Sequence, residues 1–152
     1  MDKPVFNYHM PMQVRFADLD MLGHVTNAVY AVYYNCAIFG YYRDVLNAGE
    51  NFLIAEHNMV MATMKIDYIK SVLFEHNIRV DLRVATMGSS SFEIEMQIVE
   101  EDTGEVYSRC ACTQVCYSRS KSKPILMPEV WRQRILAFEA TPPLPKAKVK
   151  NG

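Results

Sequence analysis

The chain has 152 residues, is 50% hydrophobic and carries a formal net charge of −1 at pH 7. That length accommodates one domain with a sizeable core, and the near-zero charge excludes the basic field that steers a protein onto nucleic acid. With 11% aromatic residues against 22% charged ones, the body of the chain does not have a disordered composition.

Taken in order, residues 1–12 contain Pro4 and Pro11 and little pattern, and read as an irregular lead-in. Met1-Asp2-Lys3-Pro4 is not the basic segment that opens a secretory signal. Gln13 to Ala17 reads as a short strand. Asp18 to Thr26 has no period and contains Gly23, so it reads as a loop; two acids, Asp18 and Asp20, and His24 stand within it. Asn27 suits a helix N-cap, because its side-chain oxygen can accept from a first-turn N–H. From Ala28 to Leu46 the residues are apolar on almost every side, which predicts a helix buried over most of its surface. Arg43 and Asp44 mark its emerging end, and Asn47-Ala48-Gly49 supplies a stop. The most apolar part, Ala28 to Tyr42, is interrupted by Asn35 and is short for a bilayer crossing. No membrane span and a cytoplasmic location are therefore expected.

The period then changes to two. Ala62, Met64, Ile66 and Tyr68 alternate with Thr63, Lys65 and Asp67. Ile78, Val80, Leu82 and Val84 alternate with Arg79, Asp81 and Arg83, and Phe92, Ile94, Met96 and Ile98 with Glu93, Glu95 and Gln97. These are half-buried strands. Gly88-Ser89-Ser90 and Glu101 to Gly104 read as hairpin connections, and Val106 to Tyr117 as a fourth, more deeply covered strand. Pro128 to Glu139 predicts a short amphipathic helix with proline in its first turn. Thr141 to Gly152, rich in Pro and Lys, reads as a flexible tail. A single domain over residues 1–140 with a tail over 141–152 is expected. One apolar helix followed by a run of antiparallel strands predicts an α+β fold, a curved antiparallel sheet wrapped around one long central helix. A single helix cannot cover both faces of five or six strands, so a homo-oligomer, dimer or tetramer, is expected to bury the remainder.

Four cysteines raise the question of metal. On one strand, Cys110 and Cys112 would stand about 6.6 Å apart and Cys116 about 13 Å further on, at roughly 3.3 Å per residue. A single zinc with bonds near 2.3 Å cannot gather those sulfurs, and same-face neighbours on a strand pair poorly as a disulfide. They read as small buried hydrophobes. No two histidines have the i, i+4 spacing of a zinc-binding helix, and His9, His57 and His76 fall in loops or at strand ends. No metal and no prosthetic group are expected. Ser89 to Ser91 lack the G-x-S-x-G frame of a nucleophile elbow.

The acidic loop is different. Asp20 precedes the helix start by seven residues, and Gly23 lets the chain fold back. A carboxylate would then lie near first-turn N–H groups that have no partner inside the helix, where the macrodipole adds positive potential. Such a place stabilises an oxyanion growing on a carbonyl.

The run from Arg15 through Asp20, Gly23, His24, Val25 and Asn27 to Tyr30 resembles the signature of hotdog-fold acyl-CoA thioesterases of the 4-hydroxybenzoyl-CoA thioesterase type, and more distantly that of plant acyl-ACP thioesterases. The likeness extends to Ile66-Asp67-Tyr68, to the Gly88–Ser91 hairpin and to the strand ending at Val115, roughly residues 12 to 135. It implies a hotdog fold and hydrolysis of an acyl-CoA thioester to free acid and CoA, with CoA as part of the substrate and no separate cofactor. It implies that Asp20 is the catalytic carboxylate, as general base for water or as nucleophile through a mixed anhydride. Asn27 would supply the backbone N–H that polarises the carbonyl, and His24 would position carboxylate or substrate. Tyr30 would pack against the substrate, and Ser89 and Ser90 would line the thioester channel of a neighbouring subunit. The chain departs from the pattern at Thr26, where a second Asn is frequent, at Leu22, where the acyl-ACP branch has a catalytic Asn, and at Ser71 and Glu75-His76. The departures at Thr26, Ser71 and Glu75 keep in view a non-catalytic acyl-thioester-binding hotdog protein, and a second alternative is a hotdog dehydratase, which also pairs an acid with a helix N-terminus.

Overall fold

The computed structural model describes residues 2–47, 51 and 54–147. Strand β1 is Tyr8–Met12 and helix α1 is Asn27–Tyr41. Four long strands follow: β2 (His57–Tyr68), β3 (Ile78–Met87), β4 (Ser91–Glu100) and β5 (Val106–Ser118). The two-residue strand β6 (Lys123–Pro124), helix α2 (Glu129–Phe138) and the two-residue strand β7 (Leu144–Pro145) complete the described chain. The main strands order as β1-β3-β4-β5-β2, and each neighbouring pair is antiparallel. The sheet curls around α1, as the sequence pattern predicts, in the hotdog arrangement that the resemblance implies.

The alternation of the strands determines what meets the helix. Ile78, Val80, Leu82 and Val84 on β3, and Phe92, Ile94, Met96 and Ile98 on β4, are all buried. On β5 the inward positions are Cys110, Cys112, Gln114 and Cys116, each under 5% exposed. The cysteines are free thiols, and burial pushes Cys110 up to about 12 and Cys112 and Cys116 up to about 11. They stay protonated at neutral pH and fill space as small apolar groups. From α1, Tyr30, Tyr33, Tyr34, Ala37, Ile38 and Tyr41 enter the same core. Tyr34 finds a partner for its hydroxyl in Ser108 Oγ at 2.7 Å, as buried tyrosines usually do. At Gly40 the helix runs so close to β1 that a Cβ would collide with the ends of Met10 and Tyr8.

Several boundaries differ from the sequence reading. The first strand lies at Tyr8–Met12, inside the expected lead-in, and Phe16–Asp18 forms a 3₁₀ turn in place of the expected strand. Pro11 is accommodated because β1 ends the sheet and has a single partner, β3; an edge strand tolerates the missing donor. The N-cap is Thr26, and Asn27 is the first helical residue. A bulge between Met61 and Thr63 shifts the phase of β2. Met59 and Met61 thereby pack against the core, while Ala62 faces out. Helix α1 is not covered on every side: Val32 is 46% exposed, Phe39 51%, and Asn35 and Cys36 share that open face. The helix continues into a π-helical turn, Tyr42–Leu46; the stop expected at Ala48-Gly49 lies outside the described residues. Pro128 caps α2 rather than entering it. Of the segment 141–152, Leu144–Pro145 pairs in parallel with Thr86 and Met87 of β3. Among the described residues, no helix is long and apolar enough to cross a membrane.

Helix α2 closes one end of the core through Trp131 and Ile135, with Trp131 edge-on to Tyr42 at 5.7 Å. Behind it, Glu139 is 6% exposed and joins two elements. Its Oε1 accepts from Tyr41 at 2.8 Å and from the Val84 N–H at 2.9 Å, while its Oε2 is buried without a partner among the described residues. Burial raises the pKa of this carboxyl, against smaller opposing effects of those two hydrogen bonds and of nearby Arg83. A carboxyl whose pKa is raised in the folded state binds more protons folded than unfolded, so its contribution declines as pH rises above the unfolded value. Denaturant titrations at pH 5 and pH 8 should therefore show wild type losing stability with rising pH relative to Glu139→Gln. Parallel pH dependence in the two proteins would contradict the assignment.

Candidate functional site

The loop between β1 and α1 is built by two acids with separate tasks. Asp18, 2% exposed, is anchored from three sides. Tyr33 on α1 donates its hydroxyl to Asp18 Oδ2 at 2.7 Å, the Arg15 N–H donates to the same oxygen at 2.9 Å, and the Arg15 guanidinium reaches Oδ1 at 3.0 Å. Burial works against its charge, but the bonds from Tyr33 and Arg15 prevail and hold its carboxyl below the usual range. The Asp18 carbonyl in turn accepts from the Thr26 N–H at 2.9 Å. Asp18 thereby clamps the beginning of the loop to the start and flank of α1.

Asp20 stands on the turn this clamp supports. Its N–H bonds to the His24 carbonyl at 2.8 Å and its carbonyl accepts from Gly23 at 3.1 Å. The turn requires a left-handed residue, and Gly23 supplies φ +77°. Asp20 Oδ1 accepts from the Leu22 and His24 N–H groups at 2.9 and 3.1 Å. Oδ2 makes no hydrogen bond among the described residues, and the side chain is exposed. The returning limb is tied down by bridges from Leu19 to Val25 and from His24 to Leu73, and by the Val25 N–H on the Val72 carbonyl at 2.8 Å.

This folding brings Asp20, His24, Asn27 and Tyr30 to the wall of one cleft of about 340 Å³, with Tyr68, Lys70 and Ser71 across it. At the helix start, the Ala28 N–H is taken by the Asn27 side chain at 3.0 Å and the Val29 N–H by the Thr26 carbonyl at 2.9 Å. The Asn27 N–H has no partner among the described residues. Thr26 provides no side-chain cap, and no acid stands in the first turn. The helix start, with its free donor and positive dipole end, and Asp20, with one unbonded oxygen, thus line the same cleft. Tyr30 accepts the Val72 N–H at 3.2 Å and sits edge-on to Tyr68 at 5.0 Å; Tyr68 donates to the Asn27 carbonyl at 3.1 Å. Lys70 is paired with Glu105 at 2.7 Å.

Ser89 and Ser90 are not on this cleft. Ser91, beside them, pairs with Val115, whereas Tyr68 pairs with Ser108; that separation along β5 is about 23 Å at roughly 3.3 Å per residue. Their carbonyls accept from Met127 and Cys116, both at 2.8 Å. The other histidines have local partners: His9 meets Asp81 at 2.6 Å, His76 accepts the Leu73 N–H at 2.9 Å, and His57 lies edge-on to Trp131. Among the described residues, no three His, Cys, Asp or Glu side chains are grouped to hold a metal ion. Two participants escape a reading of the sequence. Tyr33 is hidden among the helix's many aromatics. Tyr68 reads as strand alternation, although the Ile66-Asp67-Tyr68 segment of the likeness points to it.

Comparison with known proteins gives the same answer from sequence and from structure. The thioesterase-like superfamily model matches residues 14–135. A thioesterase from Thermus thermophilus, solved with coenzyme A and zinc, is 31% identical, with 90% of this chain and 97% of that one covered and a TM-score of 0.79. The PA5185 protein of Pseudomonas aeruginosa PAO1 is 26% identical, with 90% and 94% covered and a TM-score of 0.81. An uncharacterized protein of Bacillus subtilis strain 168, YsmA, is 24% identical over 134 residues, 88% of each chain.

The division of labour between the acids has a direct test. Asp18→Ala should lose about 2–4 kcal/mol in chemical denaturation, since it strands the buried Tyr33 hydroxyl. Asp20→Asn, which keeps the turn's acceptor oxygen on an exposed side chain, should unfold within about 0.5 kcal/mol of wild type. Equal losses would contradict the division.

Proposed function

The chain belongs to the thioesterase-like superfamily, and we propose that it is an acyl-CoA thioesterase, hydrolysing an acyl-CoA to the free acid and CoA. The observation that carries this reading is the pairing, in one cleft, of an exposed carboxylate oxygen on Asp20 with the unpartnered N–H of Asn27. The thioester carbonyl oxygen accepts from the Asn27 N–H, and the helix dipole favours the negative charge that grows there. Asp20 acts on the carbonyl carbon, either by taking a proton from an attacking water or as the nucleophile itself. With water as the attacking group, the C–S bond breaks and the CoA thiolate takes the proton that Asp20 drew from that water. With Asp20 as the nucleophile, the C–S bond breaks to leave the acyl group on Asp20 as a mixed anhydride, which water then hydrolyses to the free acid and the restored carboxylate, its remaining proton going to the thiolate. His24, whose backbone carbonyl and N–H both hold Asp20, positions the carboxylate. Tyr30 and Tyr68 form an aromatic wall for the acyl group next to the thioester. Coenzyme A bound to the Thermus thermophilus relative supports CoA as the carrier.

A second copy of the chain completes the arrangement. Strand β2 ends the sheet with a twelve-residue edge, and Val60 on it and Val32 and Phe39 on α1 are each about half exposed. An apolar edge of that length calls for a partner, and the distance of Ser89 and Ser90 from their own cleft leaves them free to serve another's. Sedimentation equilibrium should give a dimer or a multiple of one; a monomer at micromolar concentration would contradict it.

Thiol release measured over short, long and aromatic acyl-CoAs tests the activity. Asp20→Ala should lower kcat about 10²–10⁴-fold, the range of a removed general base, with its fold intact. An inactive wild type across the panel, or full activity in Asp20→Ala, would overturn the reading. Binding of acyl-CoA without turnover would favour a carrier or sensor, and hydration of an enoyl-CoA without thiol release a dehydratase.

A further inference from the structure

A second cavity lies at the far end of α1. About 290 Å³ in volume, it is lined by Ile38, Phe39, Tyr42, Met59 and Met61, with carboxamides from Asn35, Asn58 and Gln114. Gln114 is the unusual member. It is 2% exposed and points inward from β5 between Met61 and Phe92. Its amide nitrogen has only the Cys112 sulfur, at 3.8 Å, and its carbonyl oxygen has no partner among the described residues. A buried amide left this poorly satisfied in an apolar wall is costly to keep, and it lies open to whatever enters the cavity.

The catalytic cleft and this cavity lie at opposite ends of α1, and residues of β2 line both of them. Helix α1 and strand β2 run antiparallel side by side: Tyr68 reaches Asn27 at one end, and Tyr42 reaches the His57 carbonyl at 2.6 Å at the other. Asn27, Ala31, Asn35 and Phe39 follow each other at intervals of four along the helix side that meets β2, with small Ala31 in the middle. Across from them Met61, Met64 and Ile66 are half-buried and pack on the core. At about 1.5 Å of rise per residue, Asn27 lies about 12 Å from Asn35 and about 18 Å from Phe39, which an extended alkyl chain spans in roughly nine to fourteen carbons.

We propose that the cleft and the cavity join along α1 and β2 into one trough that holds a medium-length acyl chain, and that Gln114 hydrogen-bonds an oxygen, hydroxyl or carbonyl, near the chain's far end. The substrate class is then an acyl thioester of about twelve carbons oxygenated near its terminus. This rests on the thioesterase reading of the cleft, but uses residues that take no part in the cleavage. Polarizable methionines suit a flexible chain, and a site built to hydrogen-bond an oxygen discriminates against the chain that lacks it.

The test compares kcat/KM for butanoyl-, dodecanoyl- and 12-hydroxydodecanoyl-CoA in wild type, Gln114→Met and Met61→Trp. Wild type should prefer the hydroxylated C12 substrate over dodecanoyl-CoA by about tenfold, and Gln114→Met should abolish that preference. Met61→Trp, which fills the trough, should lower the C12-to-C4 ratio at least tenfold. A butanoyl optimum in wild type, equal use of the two C12 substrates, or a hydroxyl preference that survives Gln114→Met would overturn the proposal while leaving the thioesterase reading intact. If no acyl-CoA is cleaved, the thioesterase reading fails and calorimetry decides the trough. Binding of 12-hydroxydodecanoyl-CoA that weakens about tenfold in Gln114→Met supports it, and binding indifferent to that change overturns it.

Discussion

The covering of α1 is the constraint from which the rest of the molecule follows. A helix carrying Tyr30, Tyr33, Tyr34, Ile38 and Tyr41 toward its interior side must find apolar partners for all of them at once. A flat sheet would reach only part of that surface, so the strands curl, and inward rows from β3, β4 and β5 meet the helix from below. The tyrosines add a condition of their own, because each buried hydroxyl needs a partner. Tyr34 takes Ser108, Tyr41 takes Glu139 and Tyr33 takes Asp18. These bonds fix the helix to three separate parts of the chain, and so fix where its N-terminus points.

One of those bonds passes directly into chemistry. Because Tyr33 holds Asp18, the loop leaves the helix flank at a set place, and Gly23 turns it back within a few residues. Asp20 is carried to the open side of that turn. One oxygen is engaged by the turn's own N–H groups, and the other makes no hydrogen bond among the described residues. The helix start faces the same space with the Asn27 N–H unpaired among the described residues. A structural acid and the acid proposed to react, two residues apart, are thus separated by burial: Asp18 is 2% exposed, whereas Asp20 is open to solvent.

Much of this is legible in the sequence because hydrophobic period is a direct image of burial. The apolar rows of β3 and β4 read residue for residue, although Asp81 and Arg83 on the polar row of β3 are buried as well, and the fold follows from the succession of strands after one apolar helix. What escapes reading has identifiable causes. Tyr8, Met10 and Met12 do alternate, but Pro11 argues against a strand until its edge position is known. The bulge in β2 exchanges Ala62 for Met61 on the inner face, and nothing in the local composition marks the extra residue. The half-open face of α1 is hidden as well, since an apolar stripe looks the same whether this chain or a second copy covers it. In the site, Asp20 and Asn27 are legible from the loop and the helix start, His24 and Tyr30 through the likeness to the thioesterase signature, and the structure brings these four to one cleft. Tyr33 and Gln114 are not, because their importance lies in a hydrogen bond made, or left unmade, across the fold.

The most direct test of the central claim, that the helix start and Asp20 together receive a thioester carbonyl, is the backbone amide of Asn27 itself. Amide NMR on titration with a non-hydrolysable acyl-CoA analogue that retains the carbonyl should move the Asn27 resonance downfield and slow its exchange with solvent, with accompanying shifts at His24 and Tyr68. An Asn27 amide that stays unmoved and solvent-exchanging at saturation, while resonances shift elsewhere on the surface, would contradict it.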